Sequence, residues 1–180
     1  MKSLLYLYKH SFPIPIQTIL LEDNSVNLSH RILFMTQTKT NNFAFIDAQN
    51  LYLGTKSQWR EIDYARFRVF LKDKFKVSKA FMCIGYKPWN ESLYADLQQA
   101  WFILIFKPTL ELKDGTVKWN VDAELVLHTM IQYSNYDQAV IVSGDGDFHC
   151  LVEYLDQKKK LHALILPNKY WYSSLLKKFR

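Results

Sequence analysis

The run AVIVS at residues 139–143 does most to limit the folds open to this chain. It is too short for a helix and has no polar face, so residues 138–143 are expected to form a strand buried on both sides. The FAFI run predicts a strand over 43–48, and LHALIL predicts one over 161–166 that stops at Pro167. A strand near 79–85 and the WFILIFK run extend the series. Between these runs the apolar spacing turns helical. Tyr64, Phe67, Leu71 and Phe75 share one face of a helix near 60–75. Leu93, Leu97, Ala100 and Trp101 share another after Asn90 as cap. Ala123, Leu127, Met130 and Ile131 point inward from a third, and Phe148, Leu151, Val152 and Leu155 from a fourth. Tyr172, Leu175, Leu176 and Phe179 repeat the pattern, and Asp114-Gly115 is a hairpin-type turn. Strands alternating with helices call for crossovers, so the expected class is α/β, with three layers around a mainly parallel sheet. Residues 1–40, interrupted by Pro13 and Pro15, fit this alternation poorly and read as an N-terminal extension to a domain over 41–180.

Acidic residues stand where these strands end: Asp47 after FAFI, Asp145 and Asp147 in SGDGDF, and Asp122 in KWNVDAEL. In an open α/β sheet, ligands bind beyond the carboxyl ends of the strands. A cluster of Asp carboxylates there suits a hard divalent cation such as magnesium, and points to metal-assisted phosphodiester chemistry. Each residue also has an ordinary role. Asp147 can cap the helix starting at Phe148, Asp122 can favour a helix N-terminus, and Asp145-Gly146 is a turn pair. A cap explains Asp147 but leaves Asp145 and Asp47 without a structural task. Asn50, one turn past Asp47, adds a group able to hold a metal-bound water or a phosphate. SGDGDF lacks the Lys-Ser/Thr of a phosphate loop and the third glycine of a dinucleotide loop, and Cys150 beside His149 has no ligand-spaced partner.

The net charge of +6 is concentrated near the end, where residues 151–180 hold seven Lys/Arg against Glu153 and Asp156. Lys158, Lys159, Lys160, Lys177 and Lys178 there, and a second basic stretch from Arg66 to Lys79, are expected to follow a phosphate backbone beside the acidic site. Cys83 and Cys150 lie in apolar surroundings and read as reduced, buried thiols. SLLYLY is too short for a signal-peptide core and no apolar run reaches the length of a membrane span, so a soluble, cytoplasmic protein is expected, with no membrane partner. The sequence leaves the oligomeric state open, a homodimer included.

FIDAQN, K-x-NVDAEL and AVIVSGDGDF, in this order and at these separations, resemble the NYN domain, the LabA-like branch of the PIN-like nuclease superfamily. The resemblance covers roughly residues 40–180. It implies a Rossmann-like, PIN-like sheet and a ribonuclease that uses Mg2+ or Mn2+ to hydrolyse RNA, single-stranded by preference. Asp47, Asp122, Asp145 and Asp147 become the metal-binding catalytic set, with Asn50 as polar companion and Lys118 and Ser143 at flanking motif positions on the nucleic-acid side. One ion on Asp47, Asp145 and Asp122 is implied, with Asp147 ligating a second ion or orienting the attacking water. Trp119 stands where many relatives carry Gly and offers an aromatic face to a base. His128 stands where several carry an acid, which leaves a second metal short of its full ligand set. A nucleic-acid- or partner-binding module without chemistry, and the toxin of a toxin–antitoxin pair, are alternatives on the same fold.

Overall fold

A computed structural model of the chain describes residues 40–107, 110–111, 117–118 and 122–179. The extension expected over 1–40 therefore lies outside the described residues apart from Thr40. From Asn42 the chain runs β1 (Asn42–Asp47), α1 (Ala48–Lys56), α2 (Tyr64–Phe75), β2 (Val77–Gly85), α3 (Glu91–Gln99) and β3 (Phe102–Lys107). The short strands β4 (Leu110–Glu111) and β5 (Val117–Lys118) follow, then α4 (Asp122–Ile131), β6 (Ala139–Val142), α5 (His149–Gln157) and β7 (Leu161–Ile165). Two 3-10 segments, Gly146–Phe148 and Ser174–Phe179, precede α5 and follow β7. β4 and β5 pair antiparallel, and the expected Asp114-Gly115 turn between them lies outside the described residues.

The five long strands form one parallel sheet in the order β3-β2-β1-β6-β7, so the expected three-layer α/β fold is what the chain adopts. β1 is buried along its whole length. Alternate side chains supply two cores, as the period of two requires. Phe43, Phe45 and Ile141 pack with Leu125 of α4, Leu151 and Leu155 of α5 and Leu176, while Ala44, Ile46 and Val142 pack with Leu51 of α1, Leu71 of α2 and Leu97 of α3. Helices on opposite faces leave β1 and β6 side by side at the point where the strand order reverses. That is where such sheets bind ligands.

Several expectations are corrected. Helix α1 was not anticipated, because it buries only Ala48 and Leu51 and carries Gly54 in its last turn. Helix α4 is turned from the expected phase: Leu125 and Thr129 face the core, and Leu127, Met130 and Ile131 are exposed. The Thr129 hydroxyl returns to the Leu125 carbonyl at 2.7 Å, which lets a polar residue occupy the buried position. Asn90 holds the cap position of α3 without a capping side-chain bond. Trp101 swings outward just past the end of α3 at φ 64°, 80% exposed.

Cys83 is buried in β2, and burial, with the charges of Asp47 and Glu124, pushes its thiol up to about 12. Cys150 is exposed, contrary to expectation, because it falls on the outer face of α5. Iodoacetamide is therefore expected to label one thiol per native chain, on Cys150, and both thiols in denaturant. Peptide mass spectrometry checks this, and native labelling of Cys83 would contradict its burial.

Candidate functional site

The acidic groups assemble at the carboxyl edge of the sheet, around the β1–β6 junction. Asp47 ends β1 and is 4% exposed. Its Oδ1 accepts the Asn50 N–H at 3.0 Å and so caps α1, and its Oδ2 accepts the Ser143 hydroxyl at 3.3 Å. Burial raises the Asp47 carboxyl above the usual carboxylate range and the charge of Asp122 adds to this, against the N–H groups of Asn50 and Gln49 and the Ser143 hydroxyl. Ser143 Oγ also accepts the Asp145 N–H at 3.1 Å, and Asn50 Oδ1 accepts the Gly144 N–H at 2.8 Å. The loop after β6 is thus clamped to the end of β1 and the first turn of α1 by Ser143 and Asn50.

Within that loop Asp145 Oδ1 accepts the Asp147 N–H at 3.0 Å and caps the 3-10 turn. The structural roles are therefore reversed from the sequence expectation. Asp47 and Asp145 are the caps, while Asp147 lies inside the turn, exposed, with no protein partner for its carboxylate among the described residues. Each of Asp122, Asp145 and Asp147 contributes a carboxylate oxygen to a group lying within 4.8 Å of one another. Asp47 lies against Ser143, outside that trio but close enough to feel the charge of Asp122.

The later chain braces the loop. Gly144 accepts the Ser173 N–H at 2.9 Å through its carbonyl, and a Cβ on Gly146 would stand 2.8 Å from the Ser173 Cβ. Only glycine lets the segment approach so closely at Gly146.

The other expected site residues are dispersed. Ser143 is fully buried and positions Asp47 and Asp145 rather than facing a ligand. The backbone of Lys118 lies in β5, and Trp119 falls outside the described residues. Lys158, Lys159 and Lys160 precede β7, at the amino edge of the sheet and therefore away from the carboxylates; the Lys160 ammonium donates to the Tyr133 and Tyr136 carbonyls at 2.7 Å each. Lys178 pairs with Glu153 at 2.5 Å, and Lys177 is exposed. In the second basic stretch Arg68 is spent on the carbonyls of Val77, Ser78 and Trp101. His128 lies six residues along α4 from Asp122, about 9 Å at the helical rise.

Glu124 was missed. It lies in the first turn of α4, with its buried Oε2 3.1 Å from Lys107 Nζ and no hydrogen bond directed at that oxygen. The Asp-x-Glu spacing of DAEL carried that signal. Beside Asp47, a cavity of about 260 Å³ opens between Ala48, Tyr52, Tyr64, Cys83 and Leu93.

Among solved structures, a protein of unknown function from Vibrio parahaemolyticus is similar, with a TM-score of 0.64 over 80% of this chain and 91% of that one, at 23% identity. No curated protein matches in sequence. The NYN domain profile matches residues 43–177, which takes in β1 with Asp47, α4 with Asp122 and the whole Asp145–Asp147 loop. On that match, across three quarters of its length, the chain belongs to the NYN domain family.

Proposed function

We propose that the protein is a divalent-metal-dependent ribonuclease that hydrolyses phosphodiester bonds at the carboxyl edge of its sheet. The observation that carries this reading is the convergence of Asp122 with Asp145 and Asp147, from two separate chain segments, within 4.8 Å. NYN domains are generally nucleases of the PIN-like superfamily that bind nucleic acid and usually employ divalent metals, which supports the assignment. The donor set fits such an ion: three carboxylates are hard oxygen ligands, and negative charges this close repel one another unless a cation lies between them.

Asp122, Asp145 and Asp147 would hold the ion in this reading, which moves Asp47 from the ligand set inferred from sequence to a supporting place. Mg2+ or Mn2+ held there would supply Lewis-acid stabilisation of the phosphoryl oxygen and a more acidic water. Asp47 fixes Ser143, and through it the Asp145 backbone. Asn50 holds the Gly144 N–H and keeps the loop closed over the end of β1. Asp147, open to solvent, would give one oxygen to the ion and leave the other to orient the attacking water. Single-stranded RNA is the proposed substrate.

Incubation with labelled single-stranded and duplex RNA and DNA, in Mn2+, Mg2+ or chelator, tests the proposal. Cleavage of single-stranded RNA is expected with either metal and none with chelator. Intact substrates in all metal-containing reactions would overturn the enzyme reading, and binding without cleavage would assign the domain to recognition alone.

A further inference from the structure

Beyond the Asp145 loop, an open cleft of about 380 Å³ separates the turn at Ser57–Arg60 from the segment Asn168–Trp171. Tyr170 and Trp171 beside it are 72% and 78% exposed, and Trp59, within the facing turn, is 98% exposed. Tyr170 and Trp171 stand next to each other at one cleft, which makes them a contiguous apolar patch rather than the single exposed ring that surfaces ordinarily carry.

The backbone that presents them is fixed. Asn168 is itself buried; its Nδ2 donates to Ser57 Oγ at 2.8 Å, and its Oδ1 accepts the N–H groups of Tyr170 at 2.8 Å and Trp171 at 3.2 Å. Gln58 Nε2 donates to the Gly54 and Pro167 carbonyls at 2.7 and 2.9 Å. Pro167 packs so closely on α1 that a Cβ on Gly54 would lie 2.6 Å from the proline Cβ. The rings are therefore displayed on a prepared support, which lowers the ordering cost of binding.

Cations are interleaved with the rings, and among the described residues no carboxylate lines the cleft. Lys169 Nζ stands 4.6 Å over the Tyr170 ring, and Arg60 lines the opposite wall. The platform is also joined to the carboxylate loop: Ser173, two residues past Trp171, donates to the carbonyl of Gly144, which precedes Asp145.

We propose that this cleft is a binding track for a single nucleic-acid strand, with bases stacked on Tyr170 and Trp171 and phosphates neutralised by Arg60 and Lys169. The inference rests on the nuclease reading of the carboxylate site, whose substrate strand it extends along the carboxyl edge. Aromatic faces take unstacked bases, and a duplex keeps its base faces to itself. Protein-binding patches share the aromatic residues and arginine but are depleted of lysine, whereas here Lys169 stands over the Tyr170 ring.

The test is the affinity of fluorescein-labelled oligo(U), oligo(dT) and a duplex of equal length, measured by anisotropy in chelator so that cleavage plays no part. Trp171→Ala and Tyr170→Ala are each expected to weaken single-strand binding roughly 5- to 150-fold, the range for loss of one stacked base. Trp171→Phe is expected to keep most of the affinity, which separates lost stacking from a misfolded loop. Replacing Arg60 and Lys169 by Ser should flatten the dependence of log K on log salt by about 0.7 per lost contact. Trp101→Ala, at the amino edge just before β3, should change nothing. Wild-type protein that binds no single strand, alanine variants within twofold of wild type, or equal losses for strand and duplex would overturn the track. So would alanine variants that alter only self-association in sedimentation, which would identify a protein interface. A protein that cleaves nothing but binds single strands through Tyr170 and Trp171 would retain the track and lose the nuclease.

Discussion

Asp145→Asn is expected to lower metal-dependent cleavage of single-stranded RNA by at least about 100-fold while leaving the protein folded. Loss of a group that merely orients a metal ligand costs roughly 10- to 100-fold in affinity or activity, and a residue that holds the ion should cost no less. The fold survives because Asn keeps an oxygen in nearly the same place, able to accept the Asp147 N–H that Asp145 Oδ1 now accepts. Without metal, the variant is expected to melt at or above the wild-type temperature, since one of three mutually repelling carboxylates has been neutralised. The rise in melting temperature that Mn2+ gives wild type should shrink in the variant, because stabilisation by a ligand follows its affinity for the native state. Single-turnover cleavage and thermal melts with and without Mn2+ provide both readouts. Wild-type turnover in Asp145→Asn would remove Asp145 from the catalytic set.

Phe148→Ala is expected to destabilise the domain by about 3–5 kcal/mol, the range for deleting a fully buried Phe. Phe148 ends the 3-10 turn that carries Asp147 and packs into the core beneath β1 and β6. It anchors the carboxylate loop from below, as Ser173 braces it from the side. A fall in melting temperature of about 10 °C or more should accompany the change. Mn2+ should also bind the remaining folded protein more weakly, because the loop has lost its apolar anchor. Urea unfolding that shows a loss below about 1 kcal/mol would mean that the ring is not held as described.

What could be read from the sequence follows from how completely each segment is buried. β1 and β6 lie inside on both faces, so their apolar runs are uninterrupted and announce strands without ambiguity. The acidic positions were equally legible, since a carboxylate directly after such a strand is visible in one dimension. Helix α1 was not, because Tyr52 and Leu53 are exposed while Ala48 and Leu51 are buried, and no clean period survives. The division of labour among the Asp residues was lost with it: Asp47 could not be seen as a cap without the helix it caps. The phase of α4 failed for a related reason, as Thr129 takes a core position that an apolar pattern awards to Leu127 or Ile131. Charge was the poorest guide. Lys160 belongs to a basic run in sequence, yet its ammonium is committed to two carbonyls at the far edge of the sheet. The exposure of Tyr170 and Trp171 depends on Asn168 reaching Ser57 across 111 positions of chain, which no local pattern records.

The β1–β6 pairing has a consequence for the making of the protein. Asp47 and Ser143, which the finished sheet joins by a hydrogen bond, are 96 residues apart in sequence. Synthesis at roughly 5–20 residues per second places about 5–20 s between their appearances. Of the two strands that flank β1 in the sheet, β2 alone is available during that interval. The carboxylate loop then gains its lateral brace only when Ser173 has been added. The acidic centre therefore cannot assemble before Asp147 has been added, and whatever chemistry it performs waits for the brace that arrives with Ser173.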